Sequence, residues 1–215
     1  MKQAQAEILR EYGPFPEVTD VAGVSFDGQR IWFASGDRLN ALDPESGEIV
    51  GMLDIAADAG TAFDGTHLFQ IAEAVIRKID PKTGQVVGEI ATPGEGGASG
   101  LAWSEGTLWV GKHRGRKIHQ VDPDTGIILR TLDSDRFVTG VTWVDGELWH
   151  ATWQDETSDV RRIDAETGEV LERLEMPPGA GVSGLESDGR DRFYCGGGPS
   201  GMVRAIRRPH SDDDA

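Results

Sequence analysis

A chain of 215 residues with 37 acidic against 21 basic side chains and a net charge of −16 is long enough for one domain with a sizeable core, and its sign disfavours nucleic acid or an anionic membrane as partner. Its one cysteine, Cys195, cannot form an internal disulfide, and no apolar run is long enough to span a bilayer. The opening residues, Met1-Lys2-Gln3-Ala4-Gln5-Ala6, lack an apolar signal core, so the expectation is a soluble, cytoplasmic protein with neither nucleic-acid nor membrane partner.

In chain order, the first patterned segment is Glu7-Ile8-Leu9-Arg10-Glu11-Tyr12, an alternating strand with no partner nearby in sequence. A repeat then begins. A short strand opening on glycine recurs five times: Gly23-Val24-Ser25-Phe26, Gly60-Thr61-Ala62-Phe63, Gly100-Leu101-Ala102-Trp103, Gly140-Val141-Thr142-Trp143 and Gly184-Leu185-Glu186-Ser187. A turn recurs four times, as Asp43-Pro44-Glu45-Ser46-Gly47, Asp80-Pro81-Lys82-Thr83-Gly84, Asp122-Pro123-Asp124-Thr125-Gly126 and Asp164-Ala165-Glu166-Thr167-Gly168. The aspartate accepts turn amides, proline presets φ, and glycine supplies the left-handed residue that closes a hairpin. The turns are 37, 42 and 42 residues apart, a propeller or solenoid period, and the flanking alternation gives four strands per unit. The last unit stops after three strands, at Met202 to Ile206, so Glu7–Tyr12 is expected to complete it and remove the open edges of the array. The prediction is an all-β, five-bladed β-propeller of four antiparallel strands per blade, with an N-terminal strand closing the last. As one domain it covers 1–209, with blades near 18–56, 57–94, 95–135, 136–178 and 179–209 plus 7–12, and residues 210–215 form a disordered acidic tail.

If the Asp-Pro turns share one face, the other gathers the irregular loops, where function concentrates on a rigid scaffold. Ser99, Thr139 and Ser183 are expected beside the central channel there. One loop, Lys112-His113-Arg114-Gly115-Arg116, is the basic cluster of an acidic chain: it either holds a carboxylate or phosphate or pairs with acidic neighbours. Another carries Trp153, Gln154, Asp155 and Glu156, an aromatic beside carboxylates and amides that suits a polar ligand with an apolar face. Trp103, Trp109, Trp143 and Trp149 read as packing between blades. Cys195, with His113 and His150 near the same face, is either a thiol nucleophile or a buried small hydrophobe. The histidines show no metal-ligand spacing, and Glu186 in the channel has no ligand set around it, so no metal or cofactor is expected.

The stretch Thr139-Gly140-Val141-Thr142-Trp143-Val144-Asp145-Gly146-Glu147-Leu148-Trp149-His150-Ala151-Thr152-Trp153, with Arg162 to Val170 after it, resembles the fourth blade of the plant and bacterial glutaminyl cyclases, a family of five-bladed propellers. Leu68-Phe69-Gln70-Ile71-Ala72-Glu73 is similar to the family's second blade. The resemblance covers almost the whole chain and implies attack of an N-terminal glutamine's α-amine on its own side-chain amide, with release of ammonia. Residue by residue, it keeps Trp153 and Gln70. The family's catalytic glutamate falls on Phe33, its second-blade tryptophan on Glu73, its fourth-blade asparagine on Thr139 and its fifth-blade lysine near Gly198.

The expectation is a divergent relative that binds a small polar or anionic ligand or short peptide through Gln70, Lys112, His113, Arg114, Thr139, Trp153 and Gln154. The first alternative is an enzyme, a cyclotransferase or a hydrolase or lyase, with its acid moved to Glu73 or Glu156. The second is a protein-interaction scaffold.

Overall fold

Four antiparallel strands, laid out from axis to rim, form the body of each sheet of the computed structural model, which describes residues 1–95 and 97–210. Blade one is β3 (Val24–Phe26), β4 (Ile31–Ala34), β5 (Leu39–Leu42) and β6 (Ile49–Leu53). Blade two is β7 (Thr61–Phe63), β8 (Leu68–Ala72), β9 (Val75–Ile79) and β10 (Val86–Ala91). Blade three is β11 (Ala98–Ser104), β12 (Thr107–Lys112), β13 (Lys117–Val121) and β14 (Ile128–Asp133). Blade four is β15 (Val138–Val144), β16 (Glu147–Gln154), β17 (Thr157–Ile163) and β18 (Val170–Glu175). Blade five is β19 (Gly184–Ser187), β20 (Arg192–Gly196) and β21 (Val203–Arg207), completed by β2 (Ile8–Tyr12). The N-terminal strand thus closes the ring as predicted, pairing Ile8 with Ile206 and Tyr12 with Val203.

The recurring glycine explains how five inner strands fit around one axis. They touch in the circular order β3, β7, β11, β15, β19 and back to β3. A Cβ on Gly23 would lie 2.3 Å from Ala59 O, on Gly60 2.6 Å from Gly100 C, on Gly100 2.7 Å from Val141 N, on Gly140 2.6 Å from Leu185 N, and on Gly184 2.6 Å from Ala22 O. Each glycine therefore lets the next blade's backbone come close. The Asp-Pro turns also form as read: Asp43 Oδ1 accepts the N–H of Glu45 at 2.7 Å and of Ser46 at 3.2 Å, and Gly47 sits at φ 81°. Those backbone bonds hold the Asp43 carboxyl below its ordinary range.

The core lies between blades. Trp103 stacks on Phe69 at 5.3 Å, Trp143 on Trp109 at 6.0 Å, Phe26 packs on Tyr194 at 5.4 Å and Trp149 on Phe193 at 5.0 Å, each pair joining two neighbouring blades. Such pairs add roughly 0.5–1.5 kcal/mol beyond the burial of their area.

One element was not foreseen. β1 (Lys2–Gln5) pairs parallel to β18 and makes blade four five-stranded. Gln3 and Gln5 donate through Nε2 to Glu175 at 2.7 and 2.8 Å. Four exposed residues without apolar alternation give no strand signal; the pairing is decided by a partner some 170 residues away. From residue 211 onward, the expected tail lies outside the described residues. Among the described residues no helix is long and apolar enough to cross a membrane.

Candidate functional site

Immediately before each ring glycine stands one residue per blade: Ala22, Ala59, Ser99, Thr139 and Ser183. All five line a single pocket of about 290 Å³ at the loop-rich mouth of the channel. Blades three to five contribute hydroxyls, and each donates its proton to the backbone of the following blade. Ser99 Oγ donates to Val138 O at 2.7 Å, Thr139 Oγ1 to Val182 O at 2.5 Å, and Ser183 Oγ to Val21 O. Their hydrogens are committed to joining blades, which leaves oxygen lone pairs for anything in the pocket, one of those on Ser183 already accepting the Gly198 N–H at 3.1 Å.

Blades one and two have alanine at that position, and their polar groups come from the residues just upstream, Asp20 and Asp58, both of which line the pocket. Partial burial raises the Asp20 carboxyl above its usual range. The Asp58 carboxylate accepts the backbone N–H of Glu73 at 3.1 and 3.3 Å, a bond that spans the mouth of blade two. Sequence reasoning missed both. The signal was available, because extending the five-fold alignment three residues upstream of the ring glycines places Asp20 and Asp58 beside the hydroxyl positions.

The opposite wall is Trp153, on the longest strand of the fold. Its ring lies on bare backbone: a Cβ on Gly181 would fall 2.3 Å from Cζ2, and one on Gly198 2.7 Å from Cζ3. The strand is braced from behind. Arg136 donates to Thr152 Oγ1 at 3.0 Å and to the carbonyls of Gln154 and Thr157 at 3.0 and 2.9 Å. Buried Asp159 accepts from Thr152 Oγ1 at 2.5 Å, from Arg161 Nε at 2.9 Å and is 2.7 Å from Arg173 Nε. The indole is therefore a fixed wall.

Of the predicted ligand residues, His113, Thr139 and Trp153 meet in this pocket. Burial, and then the Arg114 charge, push the His113 imidazole below its usual value; the ring packs 4.7 Å from Phe137. The other cations of the basic loop go elsewhere. Lys112 is buried, with Nζ donating to Gly94 O at 3.3 Å, and burial lowers its pKa. Arg114 is exposed and outside the lining, and Arg116 lies 4.9 Å over the Phe137 ring. Gln70 is fully buried, its Nε2 donating to Ala59 O at 3.1 Å and Ile71 O at 2.6 Å, so it positions the pocket wall from behind. Gln154 bonds Asp155 at 3.3 Å and does not line the pocket. Neither candidate acid lines it. Glu73 is exposed at φ 58°, and Glu156, at φ 61°, lines a separate recess of about 440 Å³ that also touches Trp153.

Two other sequence readings resolve. Cys195 is wholly buried and its thiol is pushed up to about 12 by burial, so it is a core residue and no nucleophile. His150 is also buried and held neutral down to about 4, first by burial and then by the Arg161 charge. In the channel below the mouth, Glu186 accepts from Thr142 Oγ1 at 2.6 Å and from its neighbour's backbone, Ser187 N–H, at 2.8 Å; burial pushes its carboxyl up to about 7. Among the described residues no group of His, Cys, Asp and Glu side chains could hold a metal ion.

Sheet topology and glycine ring define a five-bladed β-propeller. The family model described as outer membrane protein assembly factor BamB matches residues 72–209, and the chain belongs to that family. Among solved structures, Myxococcus xanthus glutaminyl cyclase is similar with a TM-score of 0.78 and 21% identity, covering 96% of this chain and 97% of that one. A chain of a mitotic checkpoint complex is similar with a TM-score of 0.54 and 16% identity, over 88% of this chain and 64% of its own. No curated protein matches the sequence. At these identities the structural likenesses establish the fold, which meets the glutaminyl cyclase resemblance at that level.

Proposed function

We propose that this propeller binds a small molecule or short peptide presenting an ammonium group and an apolar face, held at the channel mouth. The observation that carries the reading is the charge of the pocket: Asp20 and Asp58 line it, and its one basic side chain, His113, is biased toward its neutral form. The hydroxyls of Ser99, Thr139 and Ser183 offer lone pairs, and Trp153 offers a flat apolar face. Donor-rich cations fit such a wall, while the anions suggested by the basic loop meet two carboxylates. Neither nucleic acid nor a membrane surface belongs to this reading. Isothermal titration with glycinamide, tryptophanamide and their deaminated acids tests it. Amides are expected to bind and the acids not; saturable binding of the acids alone would sink the idea.

The likeness to M. xanthus glutaminyl cyclase favours a second reading, in which the bound amine reacts. The α-nitrogen of an N-terminal glutamine attacks its own side-chain amide carbon, a new C–N bond forms, the old one breaks, and ammonia leaves with the proton the amine gave up. In this reading Asp20, which lines the pocket and whose pKa is raised by burial, carries that proton, in preference to Glu73 and Glu156 outside the lining. Mass spectrometry of an N-terminal-glutamine peptide incubated with protein decides it: accelerated ammonia loss abolished in Asp20→Asn supports turnover, and a rate equal to buffer restricts the site to binding.

A further inference from the structure

The hairpin between the first two strands is one residue longer in blade five than in blades one and two. Asp27 N–H reaches Arg30 O and Asp64 N–H reaches His67 O, three residues on, whereas Asp188 N–H reaches Arg192 O, four residues on. The longer loop carries Arg190 and Arg192. It is held from below by Asp188 Oδ1, which accepts the N–H of Arg190 at 2.8 Å and of Arg192 at 3.1 Å, and from behind by buried Arg208, which donates to Arg190 O at 3.1 Å. Both arginines line a cleft of about 380 Å³ between blades five and one, on the face of the Asp-Pro turns and away from the channel mouth.

The cleft walls are the packed rings of Phe26 and Tyr194, and Gln29 lines its rim. In blade one the hairpin cation Arg30 lies 3.0 Å from Asp27, and in blade two Asp64 is 3.5 Å from His67 of its hairpin and from Lys78 of β9. The blade-five carboxylate, Asp188, accepts backbone N–H groups of its own hairpin, as Asp27 and Asp64 do in theirs. Arg192 Nε is 3.9 Å from the half-exposed Asp191 and its charge also interacts with the Tyr194 hydroxyl and Asp188, while Arg190 is exposed and, among the described residues, has no acid within 4.0 Å. Glu45 and Asp188 also line the cleft, and Arg10, in an adjoining recess of about 170 Å³, is spent on the carbonyls of Pro44 and Glu45 at 2.7 and 3.0 Å. The exposed guanidinium of Arg190 and the partly engaged one of Arg192, beside two aromatic rings, suit a planar ring bearing an anionic group.

We propose that this cleft is a binding site for a small aromatic or heteroaromatic anion, a carboxylate or phosphate ester, gripped by Arg190 and Arg192 against Phe26 and Tyr194. Its volume falls within the roughly 300–1,000 Å³ usual for small-molecule sites. The test is isothermal titration at low ionic strength with benzoate, adenosine monophosphate, inorganic phosphate and the neutral isostere benzamide. At least one ring-bearing anion is expected to bind, with benzamide about tenfold weaker or worse, since a charge-assisted bond is lost. Arg190→Gln and Arg192→Gln should each weaken that binding by about tenfold with unchanged thermal unfolding, while Lys78→Gln, in a separate cleft lined by Phe69, Pro123 and Asp124 between blades two and three, leaves it unaltered. Absence of saturable binding by both ring-bearing anions, binding that survives the double arginine substitution, or phosphate binding as tightly as adenosine monophosphate would overturn the proposal.

Discussion

The two arcs of the channel mouth use one repeat position differently. In blades three to five the residue before the ring glycine is a hydroxyl whose proton joins one blade to the next. In blades one and two it is alanine, and the residues just upstream supply carboxylates. The stitched arc spends its polar groups on closure of the ring; the other arc turns two carboxylates to the pocket, of which Asp58 also accepts the Glu73 N–H. A repeat architecture can thus hold geometry with some blades and present chemistry with others.

The largest expected effect lies beneath both arcs. Gly140→Ala puts a methyl 2.6 Å from Leu185 N, backbone that cannot step aside, and should cost about 3 kcal/mol by overpacking, read as a fall in thermal midpoint. A similar loss is expected for Gly60→Ala on the other arc. A selective effect in one arc would show that the ring does not close uniformly.

Next is Glu186, where the arcs meet below the mouth. Below about pH 4.5, its carboxyl is increasingly protonated in folded and unfolded chains alike, and its burial is best tolerated. As pH rises toward about 7, the unfolded chain ionises while the folded one resists, so folding stability falls, by roughly 3 kcal/mol in all. Glu186→Gln should therefore raise the thermal midpoint at pH 8 and change it little at pH 4; a gain equal at both values would contradict the burial argument.

The smallest effects separate the arcs most sharply. Thr139→Val removes the 2.5 Å bond to Val182 O and leaves that carbonyl short of a partner, at a cost of about 1–2 kcal/mol in denaturant unfolding. Asp20→Asn and Asp58→Asn should stay within about 0.5 kcal/mol of the parent while weakening amine binding about tenfold. Amine binding should also fade on acidification from a pH above the ordinary aspartate range, because Asp20 is raised and must be ionised to attract the cation. Destabilisation by Asp20→Asn as large as that of Thr139→Val would erase the contrast.

Much of this fold could be read before any coordinates. The Asp-x-x-x-Gly turn is local chemistry, since its carboxylate bonds amides two and three residues away, and the ring glycines repeat because every blade meets the same crowding. Closure by Glu7–Tyr12 was legible because a missing strand at one end matched a spare one at the other. β1 was not legible, its pairing lying across the molecule. The site was half legible. His113 and Trp153 were named from loop composition and Thr139 from its place beside the channel, yet Lys112 and Gln70 proved buried and bonded to backbone, Glu156 lines a separate recess, and Glu73, Arg114 and Gln154 lie outside the pocket lining.

By itself, then, the sequence determined the repeat, the turn chemistry, the blade count and the strand that closes the ring, because all of these depend on contacts within a few residues or on periodicity along the chain. Only the tertiary structure decided the sign and membership of the pocket, because it is assembled from loops of five blades: whether a cation points inward or is spent on a carbonyl behind the wall depends on packing that no single repeat encodes.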